Sequence, residues 1–209
     1  MRQLIILFLV CLFCTSCSNS WITSSWTKPN TTSVTRYNKI MVMAITGQDR
    51  GLRDAMESNA VAQLRELGYN ATSAYAEYGP EEISSRDEAM AVDRLTNSGV
   101  DAVLTIVLLD VNQERNYVPG RVLYAPYSTY YDHFWGYYST VYDRIYTPGY
   151  YTVDTRYFWE SNVYKMSNRE MVYSVQTEAF DPSSASDLGE DHAKLIVKDM
   201  VRNNVLTKR

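Results

Sequence analysis

Residues 100–111, VDAVLTIVLLDV, carry the strongest strand signal in the sequence. Apolar and β-branched residues stand at consecutive positions, which is typical of a strand buried on both faces. Residues 39–45, KIMVMAI, show the same pattern and are followed by Thr46-Gly47. Two strands of this kind predict a sheet with both faces covered.

The segments between these two strands complete a repeated crossover unit. Residues 49–67 place apolar side chains at helical spacing and are followed by Gly68, which is typical of a helix C-terminus. A short β-compatible stretch covers residues 69–75, and a second helix is predicted over residues 81–98, ending at Gly99. The order β-α-β-α-β indicates a sheet with at least some parallel pairing.

The C-terminal part of the chain changes to a period of two. Residues 151–166 and 170–180 alternate apolar and polar positions on either side of the turn Ser167-Asn168-Arg169, which predicts a long antiparallel hairpin. A last helix, capped by Ser186 or Asp187, is predicted to run to about Leu206. Its predicted apolar face comprises Leu188, Leu195, Ile196, Met200 and Val201. We therefore predict an α/β fold (an α+β mixed sheet): β-α-β-α-β, a long antiparallel hairpin and a C-terminal helix.

The N-terminus has the three parts of a secretion signal. Arg2 precedes the apolar run 4–13, which is too short to span a bilayer, and Cys14-Thr15-Ser16-Cys17 follows. All three cysteines of the protein lie within its first 17 residues, so a disulfide framework in the domain is not expected. Small residues before Cys17 resemble the bacterial lipobox, although Cys14 stands where an aliphatic residue is usual.

The lipobox resemblance implies cleavage before Cys17, with a covalent diacylglycerol and an N-acyl chain on that residue and no other cofactor. Several acyl chains hold a protein stably on a membrane. We divide the chain into a signal peptide (1–16), a lipidated N-terminus with a polar tether (17–38) and a single α/β domain (39–209). Trp21 and Trp26 are expected either at the lipid interface or docked on the domain. Ser18 after the acceptor cysteine resembles outer-membrane sorting in the best-known lipoprotein system, and this resemblance implies the periplasmic face of the outer membrane.

Charge excludes one class of partner. Removal of the signal takes away only Arg2, which leaves 19 Lys and Arg against 24 Asp and Glu. An acidic domain of this kind is not expected to bind nucleic acid.

The order of elements behind a lipobox resembles bacterial envelope lipoproteins with a TolB N-terminal-like fold. This group includes curli-secretion-like proteins, outer-membrane lipoprotein activators of peptidoglycan synthases and domains of unknown function such as DUF4136. The resemblance covers most of the mature chain but is architectural. It therefore transfers no functional residue other than Cys17.

A Tyr-rich insertion, residues 116–151, is the most unusual segment. It holds eleven of the eighteen tyrosines, punctuated by proline and glycine. A connection this long, with turn residues but weak periodicity, is expected to be either functional or mobile, and tyrosine suits binding surfaces. The candidate binding residues are Tyr124, Tyr127, Tyr130, Tyr131, Trp135, Tyr137, Tyr138 and Tyr142. The rings are interpreted as an extension of the core, as a protein- or glycan-binding surface, or as a membrane contact.

Catalytic motifs are weak in this sequence. Gly47-Gln48-Asp49-Arg50-Gly51 lacks the Gly-Lys-Ser/Thr ending of a phosphate loop and is interpreted as a helix entry. His192 is expected on the exposed side of the last helix, and the spacing of the histidines indicates no metal site. We therefore predict a non-enzymatic envelope lipoprotein that binds a protein partner, for example as a subunit or activator of an outer-membrane assembly. A carbohydrate- or peptidoglycan-binding module is the alternative, and a hydrolase using Asp132 and His133 is the third hypothesis.

Overall fold

A computed structural model describes residues 19–29, 37–79, 88–114 and 154–208. Within these ranges six strands and four helices are present. The strands are β1 (Ser20–Thr27), β2 (Lys39–Ile45), β3 (Asn70–Ser73), β4 (Ala102–Glu114), β5 (Asp154–Lys165) and β6 (Glu170–Phe180). The helices are α1 (Arg50–Glu66), α2 (Ala74–Tyr78), α3 (Glu88–Asn97) and α4 (Ala185–Arg202).

The six strands form one mixed sheet in the order β1-β6-β5-β4-β2-β3. Strand β2 pairs in parallel with both β3 and β4, as the crossover pattern predicts. Pairing is antiparallel between β4 and β5, between β5 and β6, and between β6 and β1. The predicted mixed α/β fold, with its long hairpin and C-terminal helix, is confirmed.

Helices cover both faces of the sheet, which explains the continuous apolar runs of β2 and β4. Helices α1 and α4 pack on each other and share one core with the first face, which includes Met56, Leu104 and Ile196. A second cluster lies on the other face and includes Met43 and Leu95. We call these the α1/α4 face and the opposite face.

Helix starts are fixed by local side-chain caps. Asp49 Oδ1 accepts from the backbone N–H of Leu52 at 2.9 Å, so the glycine-containing loop before α1 is a helix entry, as predicted. At the other end, Gly68 has φ +90°, a left-handed conformation that glycine adopts without a Cβ penalty. The cap of α4 is Ser184, two or three residues before the predicted Ser186 or Asp187.

The predicted polar tether is wrong over Ser20–Thr27, because these residues form edge strand β1. Its sequence, SWITSSWT, contains the aromatic and β-branched residues that strands favour, but its partner β6 lies about 150 residues away in the chain. The alternation predicted over residues 170–180 is also interrupted. A register shift at Val163/Tyr164 moves Met171 into the core of the opposite face.

Two further differences concern the short elements that follow α1. Strand β3 is shorter than the predicted 69–75, because helix α2 begins at Ala74, and this helix was not predicted. Helix α3 is described from Glu88 onward, so the start predicted at Glu81 lies outside the described residues. Among the helices that the structure describes, none has the length and apolarity needed to cross a membrane.

Candidate functional site

One end of the sheet brings together the start of β1, which follows the predicted lipidation site, and the strand ends that flank the Tyr-rich insertion. Ser20, at the start of β1, pairs with Ala179 near the end of β6, and the backbone N–H of Phe180 donates to the carbonyl of Asn19 at 2.9 Å. Phe180 in turn pairs with Arg156 near the start of β5. We call this end of the sheet the anchor end, because β1 begins there only three residues after Cys17, the predicted lipidation site.

The same end carries both attachment points of the Tyr-rich insertion. Strand β4 finishes at Glu114, which pairs with Asp154, the first residue of β5. The chain therefore leaves and re-enters the sheet at adjacent positions. The nine predicted site residues themselves lie outside the described residues: Cys17, Tyr124, Tyr127, Tyr130, Tyr131, Trp135, Tyr137, Tyr138 and Tyr142. Asp132 and His133 also lie outside them.

An open cleft of about 270 Å³ lies beside the anchor end. Its polar wall comes from the first turns of α4, where Lys194 pairs with Glu190. The hydrogen bond from that ammonium to Glu190 raises the pKa of Lys194. The cleft is lined by Asn19, Ser20, Ala179, Phe180, Pro182, Ser183, Asp187, Leu188, Glu190, Asp191 and Lys194. Its acidic and amide groups suit hydrogen bonding to a partner surface.

His192 is buried, so the prediction that it lies on the exposed side of the last helix is wrong. The residue stands four positions from Leu188 and four from Ile196, on the stripe that α4 presents to the sheet. Its Nε2 lies 3.0 Å from Ser161 Oγ and its Nδ1 lies 3.1 Å from Thr177 Oγ1. The apolar neighbours at i−4 and i+4 were the sequence signal for this burial.

The Ser161–His192 pair has the spacing of a nucleophile and its base, but its surroundings are those of a structural contact. Both side chains are buried, and the second ring nitrogen faces the hydroxyl of Thr177 instead of an orienting carboxylate. The indole of Trp159 packs against the imidazole with ring centroids 5.6 Å apart. Burial lowers the pKa of His192 to about 3, so the ring is neutral and links α4 to β5 and β6.

Two buried carboxylates organise the rest of the α1/α4 side. Glu57 accepts from the backbone N–H groups of Ala44 and Tyr75, from Ser73 Oγ and from Arg53 Nε, at 2.6–3.1 Å. This group joins α1 to β2 and to the start of α2. The spacing of Arg53 and Glu57 is an i, i+4 pair, which sequence reasoning did not single out.

Asp199 is the second buried carboxylate, and it connects the edge strand β1 to helix α4. Its carboxylate accepts from Ser25 Oγ and from Tyr173 Oη, each at 2.7 Å. Burial raises the pKa of Tyr173 well above its usual range, and the hydrogen bond to Asp199 raises this pKa further. The N-terminal strand is therefore tied to α4 by side chains as well as by its ladder with β6.

A polar group also lies on the opposite face, between β5 and β6. The carboxylate of Glu160, which is 2% exposed, accepts from Asn162 Nδ2 at 3.1 Å and from Gln176 Nε2 at 3.0 Å. Within the described ranges, Asn162 Oδ1 and Ser174 Oγ have no hydrogen-bond partner. Among those same residues, no three His, Cys, Asp or Glu side chains come together as metal ligands would.

Comparison with known proteins gives similarity in structure only. No protein-family model matches the sequence, and no curated protein matches it either. The chain is similar to PelC from Paraburkholderia phytofirmans, crystallised as a dodecamer, with 13% identity, a TM-score of 0.48 and coverage of 91% of this chain and 99% of that one. It is also similar to lipoprotein GNA1162 from Neisseria meningitidis, with 14% identity, a TM-score of 0.43 and coverage of 78% and 98%. A hypothetical protein from Chlamydia trachomatis, CT253, matches with 10% identity, a TM-score of 0.35 and coverage of 79% and 94%. At such low identities and TM-scores, the similarity carries no argument about function.

Proposed function

We propose that this protein is a bacterial envelope lipoprotein, held on a membrane through acylated Cys17, whose non-enzymatic domain binds a protein partner at the membrane surface. The observation that carries the proposal is the anchor end. The predicted lipidation site, Cys17, precedes the first residue of β1 by three residues, and the strands that flank the Tyr-rich insertion begin and end at the same end of the sheet. A partner reaching that end of the sheet lies next to the membrane, as a subunit or activator of an outer-membrane assembly would require.

The chemistry of the described residues supports a binding role. The imidazole of His192 is buried and neutral, with hydroxyl groups on both nitrogens, so it suits a structural function. Glu57 and Asp199 are each surrounded by donors that connect secondary-structure elements. These groups stiffen the domain, and a rigid scaffold favours a binding site on its connecting segments.

The anchor is tested by metabolic labelling with palmitate in the native bacterium. We expect label on the wild-type protein and none on Cys17→Ala, with Cys14→Ala as the matched control that keeps the label. Sucrose-gradient separation of the membranes then places the labelled protein, with the outer membrane expected. Label that persists on Cys17→Ala contradicts the proposed attachment.

Partner binding is tested by deleting residues 116–151. Because Glu114 and Asp154 pair directly, Arg115, Thr152 and Val153 remain to close a short hairpin between β4 and β5, and the sheet is preserved. We expect the deletion to lose a partner that the full-length protein captures from solubilised envelopes after cross-linking. A deletion variant with an unchanged unfolding temperature that retains every captured protein contradicts a partner site in this segment.

A glycan-binding module is the second candidate, because the Tyr-rich insertion offers aromatic rings on which sugars stack. Co-sedimentation with purified sacculi distinguishes the two functions. If the full-length protein is retained by sacculi and the deletion variant is not, glycan binding is supported. Absence of retention, together with loss of the captured protein, supports the protein partner.

A further inference from the structure

The anchor end carries an aromatic patch on the opposite face of the sheet. Trp21 is 42% exposed and pairs across the ladder with Glu178 of β6. The guanidinium of Arg156 lies over the ring of Phe180 at 5.1 Å and binds Glu178 at 2.8 Å. Phe158 and Phe180 are half-buried beside them. We call Trp21, Phe158, Phe180 and Arg156 the Trp21 patch.

The two tryptophans of β1 have different environments, although both lie on the same face. Trp26 packs against the second core cluster, whose members include Met43 and Met171. Trp21 is the one large hydrophobic side chain that stands exposed among the described residues. Packing therefore accounts for Trp26, whereas Trp21 contributes little to the core.

The position of Trp21 relative to the lipidation site sets its distance from the membrane. Four residue steps separate Trp21 from Cys17, and a fully extended chain spans at most about 14 Å over that length. The backbone of Asn19 is already held by Phe180, so the free part of this link is shorter still. Acyl chains on Cys17 would hold the Trp21 patch at the level of the lipid headgroups.

We propose that the Trp21 patch contacts the bilayer into which the acyl chains of Cys17 insert, with the indole in the headgroup region. Tryptophan is enriched at membrane–water interfaces, where an apolar ring with a polar N–H matches both layers. The Arg156 charge is matched by Glu178, so the contact depends on the rings more than on anionic lipid. The inference rests on the proposed acylation of Cys17, and it gives the domain a defined orientation with the anchor end on the membrane.

The opposite end of the sheet has different chemistry and supplies the control position. Ser167 is exposed in the turn between β5 and β6, and the other two residues of the turn, Asn168 and Arg169, are exposed and polar or charged. About nine residues of β6 separate that turn from Ala179, a distance of about 30 Å along the strand. A label at Ser167 therefore stays in water if the anchor end faces the bilayer.

The experiment uses full-length protein purified from membranes and reconstituted into phosphatidylcholine vesicles. Trp21→Cys and Ser167→Cys each carry an environment-sensitive fluorophore, and lipids brominated along the upper acyl chain serve as quenchers. We expect a blue-shifted emission and several-fold stronger quenching at position 21 than at position 167. Equal quenching at both positions, or a blue shift at position 21 without quenching, overturns the membrane contact and indicates water or a protein surface there.

Labelling of the wild-type protein, which carries neither cysteine substitution, distinguishes a wrong membrane contact from a wrong lipidation site. Acylated and cleaved protein has no free thiol, because Cys17 carries lipid and the other two cysteines are removed with the signal. If the wild-type protein takes up no fluorophore, acylation of Cys17 is supported. An unquenched label at position 21 then overturns the membrane contact of Trp21 and leaves the acylation standing. If the wild-type protein takes up fluorophore, the proposed acylation is contradicted, and the membrane contact of Trp21 is overturned with it.

Discussion

Protonation of His192 should contribute to the destabilisation of this domain by acid. The folded state holds its imidazole at a pKa of about 3 because the ring is buried, while an unfolded chain has the ordinary value of 6.5. Hydrogen bonding does not oppose the proton, since the hydroxyls of Ser161 and Thr177 can both turn to accept from a charged ring. The cost is the removal of the charge from water.

The sign and size of the effect follow from proton linkage. Below pH 6.5 the unfolded state binds a proton that the folded state excludes until about pH 3, so stability is present above 6.5 and falls as the pH falls through this window. One pKa unit corresponds to about 1.4 kcal/mol. At pH 4.5 the residue therefore lowers the free energy of unfolding by about 3 kcal/mol relative to pH 7, a large part of the stability of a domain this size.

Urea unfolding of wild type and His192→Gln at a series of pH values measures this contribution. Carboxylates also titrate in the window, so the relevant quantity is the difference between the two pH profiles. Glutamine does not titrate and retains an amide to bond Ser161. We expect the wild type to lose about 3 kcal/mol more than the variant between pH 7 and pH 4.5.

Parallel pH profiles for the two proteins would refute the reasoning. If His192→Gln is too unstable to measure, the imidazole resonances of the wild type provide the same test by NMR. A His192 ring that becomes protonated between pH 6 and 7 in the folded protein would show that burial does not control its pKa.

Three further substitutions test the packing. Gly189→Ala should destabilise by about 2 kcal/mol, because a Cβ would stand 2.7 Å from the carbonyl oxygen of Ala55 where α4 crosses α1; an unchanged thermal midpoint would contradict this close approach. Glu57→Gln should cost about 3 kcal/mol in urea unfolding, because its partners, including buried Arg53, all donate hydrogen bonds; Glu57→Asp, with the charge kept, is the control. Ser184→Ala should remove the cap of α4 and cost about 1 kcal/mol, and a loss well below about 0.5 kcal/mol would argue against a stabilising cap.

Most of the architecture could be read from periodicity. The consecutive apolar residues of β2 and β4 indicated strands covered on both faces, and the alternation on either side of residues 167–169 indicated the hairpin of β5 and β6. These patterns predict the strands correctly because the spacing of apolar residues in a strand depends on which of its faces are buried. Strand β1 was missed because its Ser- and Thr-rich sequence also fits a tether, and only pairing with β6 distinguishes the two.

The buried polar groups could be predicted only in part. His192 stands in the apolar stripe of α4 and was identifiable from its i−4 and i+4 neighbours. Asp199 was not, because its burial depends on Ser25 and Tyr173, which come from two distant strands. A charged residue beside an apolar stripe is ordinarily solvated, and the tertiary contact alone makes it a buried acceptor.

Local patterns in the chain predicted the order of all the described elements except β1 and α2, and they also indicated the lipidation site and the unusual composition of the Tyr-rich insertion, since each depends on neighbouring residues. The tertiary structure alone decided that the start of β1, the end of β6 and both attachment points of the insertion share one end of the sheet. The physical reason is strand pairing. Register and direction join residues that are far apart in sequence, so the start of β1 lies at the same end as the strands that flank the insertion only in the folded sheet.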